Sequence, residues 1–130
     1  MKKLLLLIVG WLIMFAVLNA YALTINIDPT ITPEKVLKCN MPVEREDGTP
    51  LALYEIEEVK FYSGTAPGDY VETATDTICQ LTVLTADLPD GNYYKVASVV
   101  DVAGRPSPYS EEWVLVVKRV SVPRAPTLLE

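Results

Sequence analysis

Leu88-Pro89-Asp90-Gly91-Asn92-Tyr93-Tyr94-Lys95-Val96-Ala97-Ser98-Val99-Val100-Asp101-Val102-Ala103-Gly104 begins with a leucine and a tight Pro-Asp-Gly turn, runs through β-branched and aromatic side chains, and closes on a second turn. It reads as a β-strand punctuated at both ends. Alternation places Tyr94, Val96, Ser98 and Val100 on one face and Tyr93, Lys95, Ala97 and Val99 on the other. The first set is assigned to the core because that leaves Lys95 in solvent, with burial of Ala97 and Val99 as the open alternative. One strand cannot bury a face alone, so the flanking chain is expected to supply partners.

Working outward, residues 23–28 alternate as Leu-Thr-Ile-Asn-Ile-Asp, the period of a half-buried strand, and Pro29 and Pro33 end it in the manner of a sheet edge. Residues 35–40, with Val36, Leu37 and Cys39, form a second strand stopped by Pro42. Glu44-Arg45-Glu46-Asp47-Gly48-Thr49-Pro50 is a solvated turn region without the ligand number and spacing of a calcium cage. Within residues 53–62, Val59 and Phe61 have strand period, and Ser63-Gly64-Thr65-Ala66-Pro67-Gly68 turns the chain. Helix is the competing reading of residues 51–60, since Ala and Glu favour it. A short edge strand follows over residues 70–73. Cys79, Leu81, Val83 and Thr85 share one face of the next strand, and Trp113, Leu115 and Val117 one face of the last, residues 112–120. Residues 121–130, with Pro123 and Pro126, read as a linker or tail. Seven short strands separated by turns imply an all-β, antiparallel β-sandwich over residues 23–120.

The N-terminus sets the compartment. Lys2 and Lys3 precede the apolar residues 4–18, and Ala20-Tyr21-Ala22 carries small residues at the two positions read by signal peptidase. Residues 1–22 are therefore read as a signal peptide with Leu23 as the mature start. An uncleaved anchor, touching the membrane through residues 4–20, is the alternative. The domain is expected to be secreted or periplasmic in the first case, and tethered to the inner membrane facing out in the second. Loss of Lys2 and Lys3 takes the net charge from −6 to −8, which disfavours nucleic acid and anionic membrane surfaces and suits a soluble exported domain. Cys39 and Cys79 are the only cysteines, and an even count in an oxidising compartment favours a disulfide, with buried free thiols as the alternative.

Taken in order, Asp47-Gly48-Thr49-Pro50-Leu51, Phe61-Tyr62-Ser63-Gly64-Thr65, Leu88-Pro89-Asp90-Gly91-Asn92-Tyr93-Tyr94 and Val100-Asp101-Val102-Ala103-Gly104-Arg105-Pro106-Ser107-Pro108-Tyr109-Ser110 resemble the fibronectin type III family, in the form found in exported bacterial and phage proteins. The resemblance spans residues 35–120 and implies a Greek-key sandwich of the immunoglobulin-like kind. It implies a structural tyrosine corner at Leu88 and Tyr94, with Tyr93 as the alternative, whose hydroxyl bonds backbone upstream. It also makes the second and fifth strands neighbours, so that Cys39, standing where the family usually has a core tryptophan, would bridge to Cys79. The tail resembles the linker that opens a following domain of the same type.

With no histidine in the chain there is no Ser-His-Asp triad, no Cys-His pair and no histidine metal cluster, and no glycine-rich phosphate loop is present. Glu55 and Glu57 would share a strand face, but a glycosidase needs a deep cleft around such a pair, and a solvated strand face is the plainer reading. The chain is expected to be a non-enzymatic binding or structural module that needs no cofactor and no metal. Residues 43–50 and 101–109 should lie at one end of the sandwich, where Asp101, Arg105, Pro106 and Tyr109 would form a loop for a protein or glycan partner. An accessory domain of a carbohydrate-active enzyme and a membrane-anchored spacer are the alternatives.

Overall fold

In the computed structural model, which describes residues 22–130, β6 (Gly91–Asp101) runs between β3 (Ile56–Ala66) and β7 (Trp113–Val117). The expected signal peptide and the anchor alternative lie outside the described residues, apart from Ala22. β1 (Leu23–Ile27) and β4 (Asp69–Asp76) complete a five-stranded sheet in the order β1-β7-β6-β3-β4, and β2 (Lys35–Lys38) pairs with β5 (Gln80–Val83) in the facing sheet. The fold is an all-β, seven-stranded sandwich. Among the described residues no helix is long and apolar enough to cross a membrane.

One pairing departs from the antiparallel expectation. β1 lies parallel to β7, with Ile25 opposite Leu115 and Ile27 opposite Val117. The Asp28 carbonyl accepts from Ile31 and Thr32, and the Asp28 carboxylate accepts from the backbone and hydroxyl of Thr30, so the chain turns between Pro29 and Pro33. That turn carries it across to the other sheet. Ile27 reaches the core from beside β7, and β2 is left to pair with β5 alone.

The core face of β6 is the second set of residues, not the first. Phe61 stands opposite Ala97 and Val59 opposite Val99, so the small Ala97 makes room for the ring of Phe61. Phe61, Val59 and Ala97 pack with Leu37 and Val83 of the facing sheet and with Trp113 and Leu115. Lys95 shares that face at its rim. Its stem is half-buried, its Nζ donates to Ser63 Oγ at 2.7 Å, and desolvation lowers its pKa from the ordinary lysine value. An amphipathic stem with a satisfied head removes the reason to place Lys95 in solvent. Val96 and Ser98 are buried too, on the outer face. Val96 stands opposite Tyr62, whose ring lies 4.9 Å from that of Tyr109, and the Tyr70 ring meets Tyr109 edge-on at 5.4 Å.

The same change of face settles the tyrosine corner. Leu88 packs against the core, and the hydroxyl that donates to the Pro89 carbonyl, at 2.7 Å, belongs to Tyr93. Tyr94 stands between Gly64 and Val114 on the outer face. Loss of one such hydrogen bond costs about 1 kcal/mol. In urea unfolding Tyr93→Phe is expected to lower the stability by that amount and Tyr94→Phe to leave it unchanged; the reverse ranking would return the corner to Tyr94.

Cys39 and Cys79 stand just past the paired ends of β2 and β5. The Cys39 amide donates to the Cys79 carbonyl at 2.9 Å, the Cα atoms are 5.1 Å apart, and the two residues form a disulfide packed on the core. Thr85, fully buried as its place on the inward face requires, donates its hydroxyl to the Thr32 carbonyl. Residues 51–60 are neither wholly helix nor wholly strand, since a 3-10 turn at Leu53–Glu55 precedes β3. β4 is longer than the short edge strand expected. Gly64 is required by close approach, because a side chain there would collide with the Asp69 carbonyl across the β3–β4 ribbon.

Candidate functional site

The β2–β3 and β6–β7 loops meet at one end of the sandwich, and Asp101, the last residue of β6, ties them together. Its Oδ1 accepts from the backbone amides of Ala103 and Arg105 at 3.0 and 2.8 Å. Its Oδ2 accepts from Arg105 Nε at 2.7 Å and from Arg45 Nη1 at 3.0 Å. Gly104 completes the turn in the left-handed region, with φ of 81°. The Arg105 amide, reinforced by the Arg45 and Arg105 side chains, holds the Asp101 carboxyl far below the usual carboxylate range.

Arg45 also lies 3.9 Å from Glu55 Oε1, while Glu55 Oε2 accepts the Ala52 amide at 2.8 Å. Glu55 therefore caps the 3-10 turn and is not on a strand. Glu57 sits at the irregularity between Ile56 and Glu58, exposed. The alternation that would have set the two carboxylates on one face is absent, and the structure does not assemble that pair.

Because the folded pKa of Asp101 is depressed, its ionised form stabilises the protein fully above the ordinary aspartate value of about 4. That contribution is lost as pH falls below this value toward the folded pKa. Asp101→Asn is expected to lower the urea midpoint at neutral pH, with the gap to the wild type closing as the pH is lowered through this range. A gap that stays constant with pH would separate the loss from the charge.

The remaining loop residues keep part of their surface. Pro106 bridges to Val100, and Ser107 and Ser110 return to β6, each accepting a strand amide on its hydroxyl, from Val99 and Ala97, at 2.9 Å. The Arg105 side chain is 69% exposed although its Nε is bonded to Asp101, and Tyr109 packs one side on Tyr62 and Tyr70 while the rest faces solvent. Between the two loops runs an open groove of about 580 Å³, walled by Pro42, Leu51, Pro106, Pro108 and Tyr109 with Glu44 and Glu46 along it.

Three exposed apolar residues at this end were not singled out from sequence. Leu53, Tyr54 and Val102 are 70%, 84% and 62% exposed, and the Val102 amide donates to the Glu55 carbonyl, which draws the turn and the loop together. The capping Glu55 was the available signal. A glutamate at the third position of a turn, accepting the amide before it, rolls Leu53 and Tyr54 out of the strand register.

Set beside known proteins, the fold is fibronectin type III-like. An Fn3-like protein from Clostridium thermocellum superimposes with a TM-score of 0.51 at 20% identity, over 78% of this chain and 93% of that one. The extracellular domain of a one-component system from B. thetaiotaomicron gives a TM-score of 0.48 at 15% identity, over 76% of this chain and 12% of that one. No family model and no curated protein matches the chain.

Proposed function

We infer that the protein is an exported, non-enzymatic β-sandwich module that recognises a protein or glycan through the end where the β2–β3 and β6–β7 loops meet. The observation that carries this reading is the contrast at that end between a fixed frame and exposed apolar side chains. Asp101, Arg45 and Glu55 hold the loops by hydrogen bonds and ion pairs, while Leu53, Tyr54 and Val102 stand in solvent. A rigid frame lowers the ordering cost of binding, and exposed apolar and aromatic groups supply the contact area. The disulfide, the leader features of residues 1–22 and the acidic mature chain support export.

The test is a photo-crosslinking amino acid in place of Tyr54, used in the producing cell, alongside a glycan array probed with the purified chain. A discrete adduct, or a glycan retained, that disappears with Val102→Asp supports the reading. Neither adduct nor retained glycan overturns it.

A further inference from the structure

The groove at the loop end and the C-terminal segment have complementary chemistry and stand at opposite poles. β7 runs antiparallel to β6, so Val117 is level with Gly91 and the chain leaves the sheet at the pole away from Asp101. It is held there by Arg119, which bonds Asp90 and the Ala86 carbonyl, and by the Val120 amide on Asp28. Beyond Val120 the chain is exposed and forms no regular element. It contains Pro123-Arg124-Ala125-Pro126, two prolines three apart around a cation, a spacing that suits a polyproline II helix with its proline edges on one side.

That segment matches the groove. Polyproline helices dock between aromatic and proline ridges, which Tyr109, Pro106, Pro108 and Pro42 provide. Glu44 and Glu46 are exposed and make no ion pair among the described residues, whereas Arg45 and Arg105 are already engaged by Asp101. Two free carboxylates complement residues 123–126, whose one charge is Arg124.

The Pro123–Pro126 motif as a whole does not reach the groove of its own chain. The near lip, at the level of Ala97 where Ser110 pairs, is six residues back along β6 from Gly91, about 20 Å, and Asp101 is about 33 Å away. Pro123 follows the held Val120 by three residues, a reach of at most about 11 Å, and Pro126 by six, about 21 Å. The motif as a whole falls short.

We propose that residues 123–126 of one copy dock in the loop-end groove of a second copy, so that the protein associates head to tail; this rests on the loop end being a recognition surface. A single contact from one pole to the opposite pole of the next copy is heterologous, so assembly continues past the dimer with concentration, into a ring where the rotation closes and a filament where it does not.

Sedimentation velocity of the full exported chain over a range of concentrations tests it, using two variants away from the core. Pro123→Ala/Pro126→Ala alters the tail, and Glu44→Gln/Glu46→Gln alters the groove. The wild type is expected to grow past dimer with concentration, and each variant alone to need at least tenfold more protein to associate. An equal mixture of the two should give a one-to-one dimer and nothing longer, since only one intact tail and one intact groove then meet. A wild type that stays monomeric, or variants that associate as it does, overturns the proposal. If that happens while the Tyr54 probe still captures another protein or the array retains a glycan, only the head-to-tail inference falls and the recognition reading stands.

Discussion

Cys39→Ala/Cys79→Ala is expected to lower the unfolding free energy by about 4 kcal/mol, the chain-entropy value for a crosslink between residues 40 apart. The loop it closes contains β3 and β4, so the reduced chain regains their disorder on unfolding. Against a domain stability of about 5–15 kcal/mol this is a large share. Urea unfolding of the double variant against the oxidised wild type measures it. Intact mass under alkylating conditions checks the premise: two additions are expected only after reduction, on a chain that begins at Leu23. An unchanged midpoint would mean that the packing of the two strands, not the bond, carries the stability. Among the described residues, the buried tryptophan is Trp113 on β7.

Phe61→Ala is expected to cost about 3–5 kcal/mol, the range for emptying an aromatic site in a core that relaxes only in part. Phe61 is 1% exposed, lies between Val59, Ala97 and the β2–β5 sheet, and forms the floor of a shallow groove edged by Ala74 and Leu81. Phe61→Leu should lose less, since most of the volume remains. The slope of unfolding free energy against urea should stay constant, because the native topology does not change. A cost below about 1 kcal/mol for the alanine variant would show that β4 and β5 close over the gap, the collapse that lowers cavity costs.

Several elements were legible because their signals are local. Proline and Asp-Gly turns end strands whatever surrounds them, and in the last strand Trp113, Leu115 and Val117 form a face free of polar groups while Val114 and Val116 share theirs with Lys118. The meeting of the two loops at one end was legible through the family resemblance, and Arg45 bound to Asp101 shows how it is held. The outward turn of Leu53 and Tyr54 rests on a single cap, Glu55 accepting the Ala52 amide, which the helix and strand propensities of residues 51–60 do not show. Tyr109 and Asp101 have distant partners that no spacing rule reveals, since Tyr62 and Tyr70 lie on β3 and β4 and Arg45 in the β2–β3 loop.

From its residues alone this chain specified an all-β sandwich, the number of its strands, the inward faces of β5 and β7 and an acidic, bridge-capable domain, since turn chemistry, period and charge act over a few residues. Tertiary contact decided what those rules leave degenerate. Both faces of β6 are apolar enough to bury, and the pairing of Ala97 with the bulky Phe61 selected the one that carries Tyr93. β1 has the same alternation whichever neighbour it takes, and the packing of Ile25 and Ile27 beside Leu115 and Val117 set it parallel to β7. In each case the free energy that chooses lies in packing between segments distant in sequence, and period-two patterning is blind to it.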